Sequence, residues 1–161
     1  MPQHRFAVLR ADLSRELDNV RRLAAEAAEW QPRLPDWPEA VRMRTAGGIL
    51  HDFYSGIERI FRHIATRVDE DFPDGPDWHV QLLQRMAMNV ETVRPAVLDE
   101  KTARQLDQYL RFRHLFRHSY GFDLEWERCR ELLGDVPATY ERLAERLAVF
   151  DEFLQTLERE T

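Results

Sequence analysis

The chain has 161 residues, 43% of them apolar and 32% charged, and carries a net charge of -6 at pH 7. That length suits one domain spanning residues 1–161 with a sizeable core. The acidic balance excludes broad, sequence-independent duplex binding, which needs an extended basic surface, but leaves room for a small anion site. One cysteine, Cys129, excludes an internal disulfide framework and fits a reducing compartment.

Five helical segments and no strand are expected, because no stretch sustains period-2 alternation with β-branched residues. The first helix runs from about 4 to 29, with Phe6, Leu9, Leu13, Leu17, Val20, Ala24 and Ala27 forming one apolar stripe. WQPRLPDWP, 30–38, breaks it, since its three prolines cannot continue a helix. Pro38 then suits the first position of a second helix, about 38 to 69, whose stripe is Leu50, Phe53, Ile57, Ile60, Phe61, Ile64 and Val68. Within it Gly47-Gly48 reads as a kink or as a close approach of a neighbouring backbone, and close packing is the favoured reading.

EDFPDGPD, 70–77, is a loop, and Asp77 suits the N-cap of the helix opening WHVQLLQRMAM. Pro95 ends or interrupts the segment after it. Asp99 caps a fourth helix over about 100–118. Gly121 and Asp123 mark a break, and a fifth helix runs from about 124 to 158, kinked or split by GDVP at 134–137. Short loops between helices with one apolar face each predict an all-α, antiparallel up-down bundle of four main helices plus a short one. No segment approaches the ~18 apolar residues of a membrane span, and the N-terminus lacks the apolar core of a secretory signal. The expectation is a cytoplasmic protein.

RFRHLFRHSYGF, 111–122, concentrates three arginines, two histidines and a tyrosine in an acidic chain. On an ideal helix Arg113, Arg117 and Tyr120 share a face, within roughly 60° of one another. His114 and His118 share another. Arg113 and His118 are separated by roughly 140° and do not converge on one regular helix. Either the helix loosens before Gly121, or the two groups meet across a two-fold axis in a dimer.

Histidine moves protons near neutral pH, and arginine is a permanent forked cation that matches phosphate oxygens. Paired, they can cleave RNA without a metal, the imidazole moving a proton at the 2'-hydroxyl or the leaving oxygen and the guanidinium stabilising charge on the phosphate. Tyr120 is placed to orient the site or to accept a modification. The same residues also suit a solvated, ion-paired helix face, and composition leaves both readings open.

Arg113 to Tyr120 reads R-x4-H-x-Y, and LHDFYSGIERIFRHIA, 50–65, carries L-x-x-F-Y-x-G-I-E. Together, on an all-helical background, they resemble the HepT-like ribonuclease toxins of the HEPN superfamily. The resemblance implies that Arg113 and His118 are the catalytic pair of a metal-independent endoribonuclease needing no cofactor. It implies that Tyr120 is the tyrosine that a partner nucleotidyltransferase antitoxin, of the MNT type, can modify with AMP. It further implies a homodimer with two motifs facing one cleft, within a possible larger toxin–antitoxin complex. AMP groups there put negative charge and bulk where RNA phosphate should sit.

Arg111, His114 and Arg117 are candidate RNA contacts, each weighed against a surface role. Glu58 reads as an i, i+4 partner of Arg62 on the polar side of the second helix with His51 and Asp52, though a carboxylate there could orient an arginine. Tyr54 reads as packed, with its hydroxyl at the rim. No HExxH, cysteine pair or P-loop is present, so neither a metal nor a nucleotide cofactor is expected. The alternative is a non-catalytic HEPN-type bundle that binds a partner protein or a nucleotide.

Overall fold

The computed structural model describes residues 4–118 and 125–160, and for Arg117 and His118 the backbone alone. Its helices are α1 (Ala7–Trp30), α2 (Glu39–Ile64), α3 (Trp78–Met86), α4 (Glu100–His118) and α5 (Trp126–Glu160). The architecture is the expected all-α bundle, with α1, α2, α4 and α5 as its long members and α3 as its short one.

α2 is the central element, packed against α1, α3, α4 and α5. Its sequence explains this. Met43, Ala46, Gly47, Ile49, Leu50, Phe53, Tyr54, Ile57, Ile60, Phe61 and Ile64 are all buried, a stripe too wide for one neighbour. α1 buries the narrower row Leu9, Leu13, Val20, Ala24 and Ala27. Gly56 lets α1 and α2 approach, since a Cβ there would lie 2.9 Å from the Val20 Cγ2 atom. Arg10 clamps α1 to α5 through two bonds to the Asp151 carboxylate, 2.7 and 3.0 Å.

Several local expectations need correction. Pro38 precedes α2 as its N-cap rather than beginning it. The α-helix ends at Ile64 and continues as a π-helical turn over Ala65–Asp69. Asp77 occupies the N-cap of α3, but its carboxylate accepts from the Gln81 side chain (2.8 Å) rather than from a backbone N–H. Asp99 does cap α4, accepting from the Thr102 N–H at 2.9 Å. The expected cap Asp123 lies outside the described residues.

GDVP does not split α5, which runs unbroken through Pro137. The reason is packing. Leu132, Leu133, Val136 and Thr139 are all buried on either side of the proline. The Tyr109 hydroxyl of α4 donates to the Leu132 carbonyl (2.8 Å) and so ties this turn to the bundle, while the carbonyl whose helical donor Pro137 removes is that of Leu133.

Gly47-Gly48 leaves no break in α2 either. Close packing holds for one of the pair. A Cβ on Gly47 would fall 2.5 Å from the Phe116 ring, whereas one on Gly48 would meet nothing within 4 Å. The C-terminal part of α4, which carries Arg113 to His118, thus rests on a notch in α2.

Candidate functional site

α4 presents the motif on two sides. Leu106, Tyr109, Leu110 and Phe112 are buried in the core, and Phe116 packs against it. Arg111 and His114 are exposed. Arg113 falls between these sides and turns toward α2. Its Nη1 donates to the Glu58 Oε1 atom at 2.8 Å, and the two side chains are only 13% and 6% exposed. The second carboxylate oxygen, Oε2, is bound by the His79 Nδ1 atom of α3 at 2.7 Å. One buried carboxylate therefore ties together α2, α3 and α4.

This corrects the expectation for Glu58, which is not on a polar face and does not pair with Arg62. It occupies a position in the buried surface of α2, next to Ile57 and four residues from Tyr54. Arg62 instead lies over the rings of Phe72 and Trp78, 5.5 and 5.2 Å from their centroids. The Tyr54 hydroxyl is not at the rim, because the residue is fully buried. Burial, and next the Glu58 charge, push its phenol well above the usual value, while Arg113 pulls partly back.

Beside the carboxylate lies a cavity of about 400 Å³. Val80 and Leu110 form apolar wall, and His79, Arg111, Arg113 and His114 line it with polar groups. Arg113 keeps its place at a cost, since its Nε atom is buried without a hydrogen-bond partner among the described residues. A buried unpaired donor costs about 1–3 kcal/mol.

Of the sequence candidates, Arg113 and His114 thus meet at one cavity. Arg111 reaches it too, but is 81% exposed and pairs with Asp107 one turn earlier at 2.7 Å. That pair is a surface ion pair of small energetic weight. The side chains of Arg117 and His118, and the whole of Tyr120, lie outside the described residues. α4 is nevertheless α-helical through His118, so loosening between Arg113 and His118 is not what separates or joins them. His51 stays on the far side of the α4 terminus, its ring 6.0 Å from that of Phe116. Among the described residues no group of three or more His, Cys, Asp or Glu is placed to hold a metal ion.

A family model described as HepT-like protein matches residues 45–154, well over half of the chain. The chain belongs to the HepT-like family of the HEPN superfamily. The match begins just before Gly47 and so takes in most of α2, all of α3 and α4, and most of α5, with Glu58, His79 and Arg113. No curated protein matches the chain, and no solved structure does. Of the R-x4-H-x-Y positions, Arg113 is the one whose described side chain is tied into the bundle, through Glu58. Sequence reasoning missed His79 altogether. The signal available was weak: a histidine in the first turn of a short helix, next to a tryptophan.

Proposed function

We propose that this HepT-like protein is the toxin of an HEPN/MNT toxin–antitoxin pair and a metal-independent endoribonuclease. Arg113 and His118 act on the scissile phosphate of RNA, in a cleft built by two protomers. A nucleotidyltransferase antitoxin neutralises the toxin by placing AMP on Tyr120. The observation that carries this reading is the anchoring of Arg113. The Glu58 carboxylate holds Nη1, and Arg113 contributes to the cavity wall. A fixed, partly desolvated guanidinium stabilises phosphorane charge without reorganising at the moment of reaction. The family's association with nucleases supports the same class of chemistry.

The homodimer rests on geometry. Residues five apart on an α-helix point roughly 140° apart, so Arg113 and His118 of one protomer address different directions. Two copies related by a two-fold axis can bring the arginine of one to the histidine of the other.

The test is inducible expression of the wild type, Arg113→Ala and His118→Ala, with growth and total RNA followed over time. The wild type should arrest growth and degrade RNA, and each variant should lose at least about 10²-fold in cleavage rate. Sedimentation at micromolar concentration should give a dimer. Coexpression with a neighbouring nucleotidyltransferase should add the mass of AMP to the wild type and not to Tyr120→Phe. A wild type that leaves RNA intact, with and without that partner, sinks the enzyme reading in favour of a binding bundle.

A further inference from the structure

Metal-independent RNA cleavage needs two proton transfers, one from the attacking 2'-hydroxyl and one to the leaving oxygen. In each protomer the signature positions of the motif supply one imidazole, that of His118. We infer that His79 supplies the other and is the general base of the site, an inference that rests on the nuclease reading of the same cavity.

The geometry that points to His79 is its tie to Glu58. The Glu58 carboxylate accepts from Nδ1 at 2.7 Å, and its side chain is 6% exposed. A carboxylate can only accept, so Nδ1 carries the hydrogen and the neutral ring has its lone pair on Nε2. The ring is held on its other face by Trp78, with centroids 3.6 Å apart and planes 28° from parallel. His79 is 26% exposed and lines the cavity shared with Arg113 and His114. A carboxylate that fixes both tautomer and orientation of an imidazole at an open cavity is the arrangement that makes histidine an efficient base.

Charge neutralisation does not account for it. Arg113 already balances the Glu58 charge at 2.8 Å, and the second oxygen could be satisfied by any amide or hydroxyl. The groups around the ring are Glu58 from α2, Asp77 at the start of α3, and Asp107, Arg111, Arg113 and His114 from α4. Two arginines among them stand against three carboxylates, with Arg111 paired to Asp107 and Arg113 to Glu58.

In the cleavage step the 2'-hydroxyl O–H bond breaks and its proton passes to His79 Nε2. The 2'-oxygen forms a bond to phosphorus, and the P–O5' bond breaks. His118 gives its proton to the departing 5'-oxygen, leaving a 2',3'-cyclic phosphate and a 5'-hydroxyl. Water exchange then returns both imidazoles to their starting states.

The test compares wild type with His79→Asn, whose amide N–H replaces Nδ1–H against Glu58 but offers no second nitrogen. Rates are measured on an end-labelled single-stranded RNA across pH, and binding on the same RNA with 2'-deoxy sugars. His79→Asn should bind within about threefold of wild type and cleave at least about 10²-fold more slowly. Its rate should depend on one ionisation where the wild type depends on two, and added imidazole should restore part of the activity of His79→Ala. If His79→Asn cleaves with the wild-type rate and pH profile, His79 is not the base, while the nuclease reading stands. If the wild type cleaves no RNA, the nuclease reading falls and takes this one with it. Should His79→Asn fail to fold, nitrogen NMR of the wild type decides: a His79 Nε2 signal unmoved by the deoxy-substituted RNA rejects the role.

Discussion

Glu58 shows how much one side chain organises. It sits in the apolar surface of α2, and its two oxygens take Arg113 from α4 and His79 from α3. Its position in sequence hides this, because Arg62 stands at i+4 and invites a surface ion pair worth a few tenths of a kcal/mol. Burial changes the scale. Removing one partner of a buried ion pair leaves the other charge uncompensated and costs about 3–5 kcal/mol. Glu58→Gln should therefore lower unfolding stability in urea by several kcal/mol, and Arg62→Gln by less than about 1 kcal/mol. Equal effects for the two variants would refute the burial account. A comparable residue is Arg94, whose side chain is fully buried against Asp69 with bonds of 2.6 and 2.9 Å. It also donates to the carbonyls of Arg85, Met88 and Pro95, and so stitches the α3–α4 connection to the π-helical turn after α2. Nothing in the sequence marks it as different from the many exposed arginines.

At the scale of elements, the packing of α4 on α2 sets where the motif lies. Gly47 gives Phe116 its seat, and Gly48, one residue on, faces open space. The two glycines thus separate a packing effect from a helix-propensity effect. Gly48→Ala should stabilise the chain by about 0.5–1 kcal/mol, the gain alanine brings to a helix interior. Gly47→Ala gains the same propensity but forces the Phe116 ring to move, and overpacking costs about 1–3 kcal/mol. Thermal melts of the two variants should shift in opposite directions or, at the least, by clearly different amounts. Equal stabilisation by both would show that Phe116 does not rest on Gly47. Helix periodicity made all five helices and their order legible in sequence, though not the end of α3 at Met86 or the change from α- to π-helix after Ile64. It could not reveal the survival of α5 through Pro137, a turn buried against the bundle and bonded to Tyr109 of another helix.

Across the whole molecule, one core runs through all five helices, from Leu9 in α1 to Leu154 in α5. No described helix is long and apolar enough to cross a membrane. Cys129 reports on that core. It is fully buried, and burial pushes its thiol up to about 11. An unfolded cysteine titrates near about 8.5. The neutral thiol is therefore favoured in the fold, and its contribution is fully present below about pH 8.5 and lost as pH rises toward the folded value. At pH 8 an alkylating reagent should react with Cys129 only as fast as the chain opens, and stoichiometrically once denaturant is added. Rapid labelling of the native chain would contradict the burial of α5 against the bundle.

The sequence by itself determined the all-α class, the helix order, the loops and the resemblance to the HepT-like family. These are local properties, written in the 3.6-residue period, in prolines and caps, and in short motifs. Only the tertiary structure decided that Glu58 is buried, that Arg113 turns to it, and that His79 joins them. Those facts depend on three helices that meet 21 and 55 residues apart along the chain. No periodicity encodes which polar side chain of one helix will find a partner on another, because that is set by how the apolar stripes pack.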